Sequence, residues 1–178
     1  KGDGIGPEIS DSVIKIFNAA HVPIDWELHQ IGQKAVSKDG DLISEEAIAS
    51  VKANKVALKG PFMTPIGKGF KSLNVTLRRK LQLYANVRPC VTLEGLKNIY
   101  TGVNCVTIRE NTEGEYSGLE HTVAPGIHES LKIISKNACH RVAKYAFEYA
   151  RQNNRKEVIA VHKSGVMKQG DGLFIKTV

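Results

Sequence analysis

The sequence predicts an α/β fold, because stretches with strand character alternate along it with stretches of helical periodicity. Ile24, Trp26 and Leu28 alternate within residues 23–31, and short apolar runs occupy 56–59 and 157–162. Between them, Ile9, Val13, Ile14 and Phe17, and later Val142, Tyr145, Ala146 and Tyr149, recur at the spacing of one helix face. The segments that leave the strands are polar or rich in Gly and Pro, as at GPFMTPIGKG (60–69) and RENTEGEYSG (109–118).

Taken in order, the chain opens on GDGIGPE (2–8), where Pro7 begins a helix at a position whose missing N–H costs nothing. Its glycines fall at 2, 4 and 6. That is not GxGxxG, so a Rossmann fold is not predicted. Ser44 caps a helix to about residue 53, with Glu45 and Glu46 in its first turn. A buried strand at 56–59 feeds the Gly/Pro loop, which is either an ordinary connection or a ligand loop at a strand end. Ser72 caps a helix over 73–83, and strands follow at 84–91 and 103–109. Segments 119–123 and 127–134 pair as a hairpin around Pro125-Gly126. A helix spans 138–152. A buried strand at 157–162 runs into Lys163, and a last helix begins near 168.

The 178 residues suffice for one large domain or two small ones, and 42% hydrophobic with 24% charged residues is a globular composition. No apolar run approaches a membrane span. The net charge of +7 comes from scattered Lys and Arg, with no basic run interleaved with aromatics. A small acidic substrate explains it as well as nucleic acid does, and nucleic acid is not predicted. Cys90, Cys105 and Cys139, an odd number without CxxC spacing, read as buried thiols in a reducing compartment. His121 and His128 read as surface or loop residues, not zinc ligands. The chain starts at Lys1 without an initiator Met or signal peptide, so an N-terminal piece is expected to be processed off or to lie outside it.

Chemistry concentrates in KSLNVTLRRKLQLYANVRP (71–89). On a helix Asn74 and Arg78 share a face, and Ser72 stands at its start, where free N–H groups and the dipole favour an anion. Arg88 follows on a strand. Two guanidiniums near a helix start suit a small carboxylic acid, which the planar fork binds through two parallel hydrogen bonds. On this segment alone, a solvated basic helix with a capping serine is the favoured reading.

The whole set of motifs alters that balance. GDGIGPE (2–8), LKGPFMTP (58–65), SLNVTLRRKLQLYANVRP (72–89), IRENTEGEYSGLEH (108–121) and AVHKSGVMKQGDGLF (160–174) together resemble the decarboxylating β-hydroxyacid dehydrogenases. That family includes isocitrate, isopropylmalate and homoisocitrate dehydrogenases. Within it, the chain most resembles the catalytic-type subunits of eukaryotic mitochondrial NAD-dependent isocitrate dehydrogenases. The resemblance implies an isocitrate/isopropylmalate dehydrogenase-like fold, incomplete here. Residues 1–84 would belong to the large domain. Residues 85–178 would belong to the small central domain, with a dimerisation arm at about 116–134. It implies oxidative decarboxylation of isocitrate to 2-oxoglutarate with NAD and Mg2+ or Mn2+, in a mitochondrial-matrix assembly of homologous subunits.

The same resemblance assigns Arg78, Arg88 and Arg109 to the substrate carboxylates, and Ser72 and Asn74 to recognition of isocitrate. It puts Thr64 near the nicotinamide. Tyr116 and Lys163 become the catalytic pair, with the lysine acting in the neighbouring subunit's site. A lysine of lowered pKa can take the hydroxyl proton, and a phenol can protonate the enolate left by loss of carbon dioxide. On their own residues, Tyr116 also reads as a hairpin packing residue and Lys163 as a surface lysine. Family subunits are roughly twice this long, and their metal-binding aspartates and adenine loop fall outside these residues, so the isolated chain is expected to be inactive. The alternatives are isopropylmalate or homoisocitrate dehydrogenase, whose apolar substrate tail suits Ser72 and Asn74 poorly, and a non-catalytic regulatory or binding chain.

Overall fold

The computed structural model describes residues 1–32, 42–63 and 72–178, in two compact units, Lys1–Leu81 and Gln82–Val178. In the first unit α1 (Gly6–Ala19) starts with Pro7 in its first turn, as the sequence predicts. In α2 (Glu45–Asn54) the Ser44 side chain accepts the Ala47 N–H, and Lys55 ends the helix in the left-handed conformation. The third helix, α3 (Leu73–Lys80), is shorter than the predicted 73–83. It closes where Gln82 takes a positive φ. Ile43, Ile48, Leu73 and Leu77 form the core of this unit, with Ile31, Leu42, Phe62 and Leu81 packed against it. Leu73 and Leu77, one turn apart, are thus the buried stripe of α3, and Arg79 and Lys80 are turned outward.

In the second unit β1 (Ala85–Val91) pairs antiparallel with β2 (Asn104–Glu110), from Ala85 opposite Glu110 to Val91 opposite Asn104. The predicted hairpin is present: β3 (Gly114–Ala124) and β4 (Ile127–Ile133) pair antiparallel with Ala124 opposite Ile127. In α4 (Lys136–Gln152) the Ser135 side chain accepts the Ala138 N–H, and Ala138, Cys139, Val142, Ala143 and Ala150 make the buried face. The last helix, α5 (Gly170–Thr177), packs against α4.

Three predicted strands are corrected. Residues 23–31, 56–59 and 157–162 are extended but form no ladder among the described residues. A strand is defined by its neighbour, and these segments have none there, so Val56, Leu58, Ile159 and Val161 stay exposed where buried strands were expected. The cysteine expectation is corrected as well: Cys139 is buried, whereas Cys90 and Cys105 are exposed on the β1–β2 pair. His121 and His128 lie exposed on β3 and β4, with His121 Nε2 3.0 Å from Glu129 and His128 Nδ1 2.9 Å from the Thr122 hydroxyl.

Candidate active site

In the first unit the site residues gather at the start of α3. Ser72 is the N-cap residue; its carbonyl accepts from the Thr76 N–H and hydroxyl, at 2.9 and 3.1 Å, and its side chain makes no capping bond. Asn74 and Arg78 stand half-buried one turn apart on the same helix. Lys59 adds a cation that the sequence reading passed over. Its ammonium donates to the Gly60 carbonyl at 3.0 Å and lies 4.6 Å from the Phe62 ring centre. Burial, helped by the positive charge of Arg78, lowers its pKa. The only sequence signal for it was a lysine ending an apolar run at the Gly/Pro loop. Thr64 lies outside the described residues.

The GDGIGP loop is built for packing within this unit. Asp3 is buried; its N–H donates to the Pro61 carbonyl at 2.9 Å and its carboxylate accepts the Met63 N–H at 3.2 Å. A Cβ on Gly60 would stand 2.1 Å from the Lys1 carbonyl oxygen. In the loop itself a Cβ on Gly2 would stand 2.2 Å from the Pro61 carbonyl oxygen and one on Gly6 2.4 Å from that of Lys1, so these two glycines serve close backbone approach, while Gly4 serves the turn with its φ of +57°.

In the second unit the ladder register sets the arginines. Arg88 faces Thr107, and Arg109 faces Asn86, so Asn86, Arg88, Thr107 and Arg109 share one face. Arg88 and Arg109 are diagonal neighbours, roughly 7–8 Å apart at the backbone. The Arg88 Nε donates to Asn86 Oδ1 at 3.3 Å. The Arg109 guanidinium carbon lies 5.0 Å from the centre of the Tyr116 ring. That stacking joins Tyr116 to the arginine face and fixes the ring through a cation–π contact.

Lys163 sits exposed on the turn before α5. The buried Asp171 holds that turn: its Oδ2 accepts the Lys163 N–H at 2.6 Å, and its Oδ1 accepts the Lys132 ammonium at 3.1 Å. These two bonds lower the Asp171 pKa. Lys132, on β4, is also 3.7 Å from Glu115 beside Tyr116. A chain of charge therefore runs from the base of the β3–β4 hairpin to the Lys163 turn.

The acidic residues of segment 109–118 do structural work. Glu110 accepts the N–H groups of Thr112 and Glu113 at 2.7 and 2.8 Å, and Arg141 at 3.0 Å. Burial alone would raise its pKa, but these bonds and that of the Thr112 hydroxyl outweigh it, and the pKa is lowered. Glu113 caps α4 by accepting the Ser135 N–H and hydroxyl at 2.9 and 2.6 Å. Among the described residues no group of three His, Cys, Asp or Glu could hold a metal ion. A cavity of about 750 Å³ lies between β2, α4 and the extended segment at 156–161. Its walls are mainly apolar, including Val106, Val142, Ala146 and Ile159.

The sequence profile of the family "Isocitrate/isopropylmalate dehydrogenase" matches residues 1–178. The chain is 57% identical over 175 residues to a chloroplastic 3-isopropylmalate dehydrogenase of Solanum tuberosum, covering 98% of this chain and 49% of that protein. It is also 57% identical over 175 residues to mitochondrial isocitrate dehydrogenase [NAD] catalytic subunit 5 of Arabidopsis thaliana, covering 98% and 47%. The chain thus spans about half the length of these relatives. Its backbone superposes on the crystal structure of isocitrate dehydrogenase from Methylococcus capsulatus with a TM-score of 0.88 at 42% identity, covering 98% of this chain and 53% of that one. Motif order, backbone and sequence identity agree from end to end, and the chain belongs to the isocitrate/isopropylmalate dehydrogenase family.

Proposed function

We propose that this chain carries the substrate-binding part of an NAD-dependent isocitrate dehydrogenase, working within a longer subunit that converts isocitrate to 2-oxoglutarate and carbon dioxide. The observation that carries this reading is the pair Arg88 and Arg109 on one face of β1–β2, with the Tyr116 ring against Arg109. Guanidinium forks match carboxylates, and isocitrate has three of them to orient. Arg78 and Lys59 supply further positive charge. Ser72 keeps its hydroxyl out of the helix cap, and with Asn74 offers polar contacts at the helix start. Tyr116 would protonate the carbon that loses carbon dioxide, and Lys163 would take the C2 hydroxyl proton in the neighbouring subunit's site. NAD would accept the hydride, with Thr64 near its nicotinamide. A divalent ion belongs to the same reading, but the described residues do not form a site for one, so no step is assigned to it.

In this reading the first unit is part of a large domain and the second part of a small central domain. The hairpin at about 116–134 meets its counterpart in a homologous subunit. The mitochondrial relative supports a matrix location. A second reading, isopropylmalate dehydrogenase, is favoured by the Solanum tuberosum relative. The polar pair Ser72 and Asn74 weighs against it, because an apolar substrate tail would leave both unpaired.

The test is reduction of NAD by the full-length protein with magnesium and either isocitrate or 3-isopropylmalate. Activity with isocitrate is expected. Arg88→Gln and Arg109→Gln should each raise its KM roughly 10- to 100-fold, the loss of a charged hydrogen bond. Tyr116→Phe should lower kcat by about 10²–10⁴ with KM little changed. Activity with isopropylmalate alone selects the second reading, and activity with neither removes both.

A further inference from the structure

We propose that Cys90 and Cys105 form a reversible redox site, which a small disulfide such as oxidised glutathione converts into a cross-strand disulfide. The two residues are direct partners in the β1–β2 ladder. Hydrogen bonds at both ends of the ladder fix the type of pair they make. Thr92 N–H donates to the Val103 carbonyl and Asn111 N–H to the Tyr84 carbonyl, both at 2.9 Å. Counting in twos from either end, Cys90 and Cys105 form a hydrogen-bonded pair, and Pro89, which has no N–H, falls at a non-bonded position opposite Val106. Such a pair sets the two Cα atoms about 5.5 Å apart, inside the roughly 4.4–6.8 Å that a disulfide spans. Both side chains leave the same face of the pleat, and both residues are free and exposed. Cys139 differs on each count: it is buried in α4, where burial pushes its thiol pKa up.

The reaction balances as two exchanges. One cysteine thiolate attacks a sulfur of oxidised glutathione, the S–S bond breaks, and one glutathione thiolate leaves. The second cysteine thiolate attacks the resulting mixed disulfide at the protein sulfur, and the second glutathione leaves. The protein dithiol loses two electrons and two protons, and one glutathione disulfide becomes two thiols. The new bond ties the strands one pleat away from Arg88, on the face that also carries Arg109. Oxidation therefore locks the ladder beside the arginine pair, and reduction frees it.

The test uses the full chain equilibrated over a series of reduced-to-oxidised glutathione ratios, quenched with an alkylating reagent and digested for mass spectrometry. The expected product is a peptide pair linked through Cys90 and Cys105, two hydrogens lighter than the reduced pair and restored by dithiothreitol, with Cys139 alkylated only after denaturation. Cys105→Ser should leave Cys90 carrying one glutathione and no internal bridge. Separate alkylation of both thiols at every ratio, a glutathione on each, or a bridge from Cys90 to another cysteine would overturn the proposal. The readout is a mass, independent of any catalytic activity.

Discussion

Asp171 accepts the Lys163 N–H with one carboxylate oxygen and the Lys132 ammonium with the other, in a buried position at the start of α5. It is a positioning residue for the lysine that resemblance assigns to proton transfer. Its two donors depress its pKa, with the Lys163 N–H the larger cause. A carboxyl whose folded pKa is depressed contributes stability that is complete above its unfolded value, about 4, and is lost as pH falls through the folded value. Asp171→Asn should therefore destabilise the protein at neutral pH by about 1–3 kcal/mol, the range for a hydrogen bond to a charged group. Urea unfolding of both proteins should show the difference shrinking as pH falls below about 4. A difference that stays constant down to the lowest pH at which the protein folds would refute this assignment of the charge. The residue escaped the sequence reading because its partners are 8 and 39 positions away, beyond any local pattern.

At the scale of the element, what was legible in the sequence was local. Ser44 and Pro7 mark helix starts through contacts within one turn, and Pro125-Gly126 marks a hairpin whose strands adjoin it, whereas Ser135, the cap of α4, was passed over and that helix was read from 138. Strands that need distant partners, at 23–31, 56–59 and 157–162, could be read as extended but not as paired. The proposed site residues rest on motif order, since nothing in the periodicity of α3 distinguishes Arg78 from a solvated arginine. Gly2 and Gly60 were legible as loop residues but not in purpose, because the backbone they approach, at Pro61 and at Lys1, is more than fifty residues away. That purpose is testable. A Cβ on Gly60 would meet the Lys1 carbonyl oxygen at 2.1 Å, and the obstacle is backbone, which cannot swing aside. Gly60→Ala should cost about 1–3 kcal/mol in urea unfolding, as overpacking does. At Gly165 a Cβ meets nothing within 4 Å, so Gly165→Ala should change stability by no more than about 0.5 kcal/mol. Equal effects at the two positions would mean that the loop junction yields and does not set the fold of its unit.

At the scale of the whole molecule, the extended segments carry apolar side chains that water would penalise. Val56 is 81% exposed, Leu58 61%, Ile159 72% and Val161 87%. Four such side chains, each worth about 1.5–3 kcal/mol on full burial, are a large reserve of unburied surface in segments already extended. The second of them borders the apolar cavity against β2 and α4. The relatives are about twice as long as this chain, so their remaining residues offer partners that these segments lack among the described residues. In the full-length protein, amides at 56–59 and 158–161 should therefore resist hydrogen exchange as strongly as those of β1 and β2, because paired core strands open only with large-scale unfolding. Residues 95–99, in the exposed connection between β1 and β2, provide the fast reference within the same molecule. If 56–59 and 158–161 exchange as fast as that connection, the segments stay unpaired in the longer chain. Their apolar faces would then have to be covered by side chains alone. If they are protected, the two apolar runs are strands as the sequence predicts, and what the described residues lack is their neighbours.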